Sequence, residues 1–185
     1  MKALLFTGPS GSGKTTIAQL LLQKYDVLTF SISATTRPPR PGEKHGQDYY
    51  FLTESEFDEE IQKGGFLEWE RIFSGYRYGT LKREIARIER LGKIPVFVKD
   101  VKGALSLKKV FGEELVTVFL VPPSIEALRE RLLSRGLNDV EDLSQRLARA
   151  EEELRLLPLF DYILYNDDID KAMKRLTLLV QRKFL

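Results

Sequence analysis

Five stretches of the chain carry the apolar density of β-strands: 3–7, 27–32, 94–98, 115–121 and 162–165. The first four are near-continuous runs such as "ALLFT" and "LVTVFLV", the pattern of parallel strands buried on both faces. Between them, apolar residues return at helical spacing over about 14–24, 81–91, 103–110, 124–134, 142–157 and 168–183. Strands alternating with helices predict an α/β fold, a parallel sheet flanked by helices. No internal repeat or low-complexity linker divides the chain, so residues 1–185 read as a single domain.

The rhythm breaks between 33 and 80. This stretch is polar and aromatic, and its short alternating segments predict a small mixed sheet with one helix at about 54–63, opened by the capping-box pattern Thr53-Glu54-Ser55-Glu56. A structureless loop of that length is improbable in a compact domain. It therefore reads as an inserted α+β subdomain on a core made of 1–32, 81–123 and 157–185. A second irregular piece, "SRGLNDVED", separates two charged helices and marks 124–156 as a short helical lid.

Composition narrows the class. The chain is 43% hydrophobic and 30% charged, a soluble globular balance. A net charge of +2 gives no bulk electrostatic argument for nucleic acid or a membrane surface, although a local pocket can still be basic. Cysteine is absent, which excludes disulfides and thiolate metal sites and fits a reducing compartment. No apolar run approaches the roughly 18 residues of a membrane span. The N-terminus enters a strand directly, without the basic and long apolar regions of a signal peptide. A cytoplasmic location is the expectation, with monomer and homodimer both open.

Directly after the first strand comes Gly8-Pro9-Ser10-Gly11-Ser12-Gly13-Lys14-Thr15, followed by Thr16 and a helix. This is G-x-x-x-x-G-K-[ST] in its strand–loop–helix context. Glycines let successive backbone N–H groups converge on phosphate oxygens, and the helix N-terminus adds partial positive charge. Lys14 is placed to reach the β- and γ-phosphates, and Thr15 to offer a hydroxyl to Mg²⁺. The pattern makes the core a P-loop NTPase-type fold, with a nucleoside triphosphate and Mg²⁺ as the expected ligands.

The acceptor side lies in the insertion. In "SATTRPPRPGEKHGQDYYF", prolines stiffen the backbone and two arginines stand three apart, suited to forked recognition of phosphate. This segment, the P-loop, "GFLEWERIFSGYRYGT", "RLLSRG…QRL" and "YNDD" together resemble the guanylate kinases, which transfer the γ-phosphoryl group of ATP to GMP. The resemblance covers essentially the whole chain. It implies that Arg37, Arg40, Tyr49 and Tyr78 grip the GMP phosphate and that Ser33, Glu68 and Thr80 read guanine. It also implies that Arg131, Arg135 and Arg146 approach the ATP phosphates and that Asn166 lies near the adenine. Lys14, Arg37, Arg131, Arg135 and Arg146 would then be the catalytic cations. Trp69 reads as a core anchor, Arg129, Arg149 and Arg155 as solvated helix residues, and the sole histidine, His45, as solvated and without a role.

The likeness is incomplete at "FVKDVKG", residues 97–103. Asp100 and Gly103 match the family's L-D-I-D-x-Q-G, whereas Val98 replaces its first aspartate and Lys102 its glutamine. Asp100 is expected on the GMP side, or as a second Mg²⁺ position through water. Lys99 and Lys102 read as surface lysines, and Arg77 stands where tyrosine is common. A P-loop kinase for another phosphorylated acceptor and a non-catalytic binding module of the same scaffold remain the rival readings.

Overall fold

The computed structural model describes residues 1–72, 75–134 and 140–185. The core begins with β1 (Ala3–Thr7), α1 (Lys14–Lys24) and β2 (Leu28–Phe30). The insertion carries β3 (Ala34–Thr35), β4 (Tyr50–Phe51), α2 (Glu54–Gln62), β5 (Phe66–Arg71) and β6 (Arg77–Leu81). The chain returns to the core through α3 (Lys82–Arg90), β7 (Ile94–Val98), α4 (Val101–Phe111) and β8 (Leu115–Val121). It ends with α5 (Ile125–Ser134), α6 (Val140–Leu154), a short 3-10 turn at Leu157–Leu159, β9 (Tyr162–Tyr165) and α7 (Ile169–Phe184).

The core sheet has the order β2-β7-β1-β8-β9, and every pairing in it is parallel. Strand alternation explains the layers. Leu4 and Phe6 of β1 face Ile17, Ala18 and Leu21 of α1 with Ala172, Leu176 and Val180 of α7. Ala3 and Leu5 face Val101, Ala104 and Leu107 of α4 on the opposite side. Each large side chain so buried contributes roughly 1.5–3 kcal/mol. β9 closes one edge, and its burial alternates because one of its faces is left to solvent, which accounts for its less uniform sequence.

The insertion forms its own mixed sheet, β4-β3-β6-β5, in which β3 and β4 are parallel and the other pairs antiparallel. Phe57 of α2 stacks on Phe66 at 4.4 Å and packs with Ala34 and Leu81 as a small separate core. The expected capping box is present: Glu56 N–H donates to Thr53 Oγ1 at 3.2 Å and Thr53 N–H donates to Glu56 Oε2 at 2.7 Å. Trp69 departs from expectation. It is 42% exposed, with its edge toward Phe57, because Glu68 takes the inward position on this stretch of β5. Arg77, standing where tyrosine is common, is almost fully buried over the Phe57 ring and paired with Asp58 at 2.5 Å and with Glu54. A cation with two acidic partners on α2 thus clamps that helix to β6.

Glu84 of α3 ties the two sheets together. Its side chain is fully buried and accepts from Ile32 N–H at 2.9 Å, Tyr50 Oη at 2.8 Å and the Arg87 guanidinium at 2.7 and 2.9 Å. Burial works against its charge, but donation from Arg87, Ile32 and Tyr50 prevails and lowers its pKa. A lowered folded-state pKa means that the unfolded chain binds the proton more readily. The stabilisation is present above the ordinary glutamate range and is lost as pH falls through the folded-state value. Glu84→Gln turns an amide donor toward these donors, at a cost of about 2–4 kcal/mol. The expected result in thermal denaturation is a melting point lower by roughly 5–12 °C at neutral pH. The gap between wild type and variant should narrow in acid.

Candidate active site

Because the core strands are parallel, their carboxyl ends share one edge of the sheet. The chain leaves β1 for strands on one side and returns later to β8 on the other. Ligands bind at such a switch point, outside the carboxyl ends of the strands. Every polar group described below follows one of those ends or belongs to the insertion and lid helices packed over them.

The loop after β1 runs from Gly8 to Gly13 and opens α1 at Lys14. Gly8 and Gly13 hold φ of 131° and 98°, and a Cβ at either would collide, with the Leu120 carbonyl oxygen or the Asn166 amide. No side chain caps α1, so its first N–H groups are left for an anion. Lys14 arches back over the loop, its Nζ donating to the Gly8 and Pro9 carbonyls at 2.6 and 2.8 Å. Thr15 and Thr16 are exposed in the first turn. Asn166, after β9, is buried and donates through Nδ2 to the Ser12 carbonyl at 2.8 Å. It braces the loop, while Asp168 caps α7. Arg131 of α5 lies over the same loop, its guanidinium 3.5 Å from the Gly11 carbonyl oxygen and 3.4 Å from that of Asn166. Gly11, Gly13, Thr16, Arg131 and Asn166 line a cavity of about 500 Å³.

A second, buried polar cluster joins the insertion to the end of β7. Glu68 of β5, Thr80 of β6 and Ser33 are each at most 9% exposed. Thr80 Oγ1 donates to Glu68 Oε1 at 2.5 Å. Lys99, the first residue after β7, has a side chain 9% exposed, with Nζ 3.0 Å from Glu68 Oε1 and 3.0 Å from Ser33 Oγ. No described residue donates to Glu68 Oε2.

Beside it, Arg37 donates through Nε to Tyr78 Oη at 3.2 Å and through one terminal nitrogen to both Glu43 oxygens at 2.8 and 2.9 Å. Its guanidinium lies 5.4 Å from the Tyr49 ring centre and 5.7 Å from that of Phe51. Burial opposes its charge, but the bonds to Glu43 and Tyr78 raise its pKa overall. Glu43 also accepts from the Arg40 N–H at 2.7 Å, and the Arg40 side chain is exposed. A guanidinium with a hydroxyl neighbour has the chemistry to meet an anion whose oxygens lie in a plane.

From the lid side, Arg149 of α6 reaches Asp100 at 3.2 Å and Glu153 at 3.0 Å. Burial pushes Glu153 above the ordinary carboxyl range against the pull of Arg149. Asp100 uses its other oxygen to cap α4, accepting from Gly103 N–H at 2.9 Å. Arg146 pairs along its own helix with Asp142 at 3.1 Å. Arg135 lies outside the described residues.

The guanylate kinase family model matches residues 1–183. A guanylate kinase of Bacteroides thetaiotaomicron is 46% identical over 184 residues, covering 100% of this chain and 90% of that protein. The guanylate kinase of Thermotoga maritima is 43% identical over 183 residues, covering 98% of this chain and 87% of its own. The chain belongs to the guanylate kinase family. A crystal structure of guanylate kinase from Anaplasma phagocytophilum superposes with a TM-score of 0.79 at 29% identity, covering 98% of this chain and 85% of that one. A shikimate kinase of Bacteroides thetaiotaomicron, at TM-score 0.55 and 19% identity, shares the fold alone.

Set against the guanylate kinase pattern, the departures at 97–103 have distinct fates. Val98 packs against the hydrophobic core, and Lys102 is exposed as expected. Lys99 is not the surface lysine that its type suggested: the end of β7 turns it into the space beneath β5, where the Glu68 carboxylate and Ser33 hold it. Arg149 likewise is more than a solvated helix residue, because the packing of α6 brings it to Asp100. His45 is exposed, edge-on to Tyr50. Sequence reasoning missed Glu43, Lys99 and Arg149 as site groups. The signal for Glu43 was its position six residues past Arg37 in a proline-stiffened turn, close enough to fold back.

Proposed function

We propose that this chain transfers the γ-phosphoryl group of ATP to GMP, giving ADP and GDP, with the P-loop holding the donor and the insertion holding the acceptor. The observation that carries the reading is the pairing of an uncapped, glycine-lined helix N-terminus with a separate buried carboxylate–hydroxyl cluster at the same sheet edge, in a chain matched by the guanylate kinase family over residues 1–183.

In this reading Glu68 accepts N1–H and the 2-amino group of guanine, and Ser33 and Thr80 complete the base contacts. Arg37, Arg40, Tyr49 and Tyr78 hold the GMP phosphate, with Glu43 giving way to it. Asp100 borders the acceptor. A GMP phosphate oxygen attacks the γ-phosphorus in line while the bond from that phosphorus to the β,γ-bridging oxygen breaks, and ADP departs with that oxygen. Gly8, Pro9, Ser10, Gly11, Ser12, Gly13, Lys14, Thr15 and Thr16 wrap the donor phosphates, and Asn166 borders the adenine. Lys14, Arg131, Arg135 and Arg146 offset the charge spread over the transferring group, where positioning and electrostatics do most of the catalysis.

Among the described residues no cluster of three or more His, Cys, Asp or Glu could hold a metal. One hydroxyl in the first turn of α1, at Thr15, fits an ion that arrives already bound to polyphosphate. Thr15, and Asp100 through water, would hold Mg²⁺, and the ion would supply positive charge to the polyphosphate. The reading places the protein in the cytoplasm, acting on free nucleotides. No helix among the described residues is long and apolar enough to cross a membrane.

An ADP-release assay with GMP, AMP, CMP and UMP as acceptors tests the assignment. GMP should be turned over with strong preference, by about 10³-fold or more over AMP, because adenine leaves the buried carboxylate unpaired. Activity with AMP equal to that with GMP would overturn it.

A further inference from the structure

We infer that Lys99 is a further specificity-determining residue of the guanine site, its ammonium donating to the O6 acceptor of the base. This rests on the reading that places guanine beside Glu68. Lys99 takes up a position between the two groups expected to read the base, 3.0 Å from Glu68 Oε1 and 3.0 Å from Ser33 Oγ. An ammonium has three N–H donors. One is given to Ser33 and the charge is paired with Glu68, and no other described residue accepts from the ammonium.

The base chemistry fits the remaining donor. Guanine presents O6, N1–H and the 2-amino group side by side along one edge. Glu68 Oε1 already accepts from Thr80 and is ion-paired with the Lys99 ammonium, while Oε2 accepts from no described residue. If the carboxylate takes N1–H and the 2-amino group across its two oxygens, with Oε1 at the N1 end, a group at Oε1 borders O6. Thr80 and Lys99 both meet Oε1, but Thr80 spends its single hydroxyl proton there, so Lys99 is the one with a donor left for O6. Adenine would turn a 6-amino donor toward the ammonium and an N1 acceptor toward the carboxylate, so both contacts become repulsive. The pair thereby discriminates at two adjacent ring positions instead of one.

The competing account is that Lys99 is merely the counter-ion that lets Glu68 be buried, since a buried charge without a partner is costly. The two accounts separate when the acceptor on the base is changed along with the lysine. Wild type and Lys99→Met are assayed with GMP and with 6-thio-GMP, which keeps N1–H and the 2-amino group but offers sulfur, a poorer acceptor, at position 6. KM values do not depend on the fraction of enzyme folded, so a loss of stability in the variant does not obscure the readout.

Wild type should prefer GMP. Lys99→Met should raise the KM for GMP about 10- to 50-fold, the range of a lost hydrogen bond to a charged group, while raising that for 6-thio-GMP less than about threefold. Lys99→Arg, which retains a cationic donor, should recover part of the preference, and the KM for ATP should be unchanged. An equal loss on both acceptors, or a GMP affinity that improves when the lysine is removed, overturns the inference. Glu68→Gln in the same series keeps the two levels apart. If it leaves GMP use intact, the base is elsewhere and the underlying site reading fails; if it abolishes GMP use while Lys99→Met does not change the GMP to 6-thio-GMP ratio, the role of Lys99 alone fails.

Discussion

Lys14→Met should lower kcat by about 10²–10³-fold, the usual loss when one preorganised charge is removed from a developing anion. The effect should fall on kcat more than on the KM for GMP, because the lysine belongs to the donor cradle and the acceptor groups lie in the insertion. Lys14 Nζ lies against the Gly8 and Pro9 carbonyls, and these contacts hold it over the mouth of the loop. A cation resting on carbonyl oxygens can move onto phosphate oxygens, which are stronger acceptors. Removing it also takes a donor from the carbonyls of two buried residues, Gly8 and Pro9, so the melting point should fall by about 2–4 °C for each 1 kcal/mol lost in a chain of this size. Steady-state kinetics with both substrates varied, together with a melting curve, checks both parts. A variant with kcat within about threefold of wild type would remove Lys14 from the transition state.

The core was readable because its signals are local and repeated. β1, β7 and β8 match the apolar runs residue for residue, since a strand covered on both faces admits almost nothing else, and the half-exposed edge strand β9 matches its shorter run as well. Helix ends shifted where a cap decided them: Asp100 starts α4 at Val101, two residues before the apolar spacing begins, and α6 ends at Leu154 before the proline-bearing 3-10 turn. The P-loop was legible for the same reason as the strands, its chemistry being written in one contiguous stretch.

The acceptor side was legible in residue type and illegible in partnership. Arg37 and Tyr78 are 41 positions apart, and Lys99 and Glu68 come from different sheets. Nothing in local spacing says that a lysine after a strand will be drawn inward, because exposed lysine is the ordinary outcome. What draws it in is the buried carboxylate of another element, a tertiary fact. Arg149 is the same case: its helical phase places it one turn from Arg146, but only the tertiary fold brings Asp100 within 3.2 Å.

Glu68→Gln should lower kcat/KM for GMP by about 10³-fold, within the range seen when a site built to bond a polar edge loses its match. Glutamine keeps the shape of glutamate, so its amide oxygen can still accept from Thr80 and Lys99. The amide nitrogen must then face N1–H or the 2-amino group, donor against donor. The KM for ATP should stay within about twofold, since distant groups with no shared partner act additively. Glu70 supplies the internal control. It lies two residues along β5, on the same face of the strand, and burial pushes it above the ordinary carboxyl range while Ser106 of α4 donates to it at 3.1 Å. A carboxylate that only docks the insertion onto α4 should tolerate Glu70→Gln with little change in GMP preference. If the two variants lose GMP use equally, the loss comes from a displaced insertion, and the guanine contact must be sought at another residue. If only Glu68→Gln loses it, recognition resides in the carboxylate that Thr80 and Lys99 hold in place.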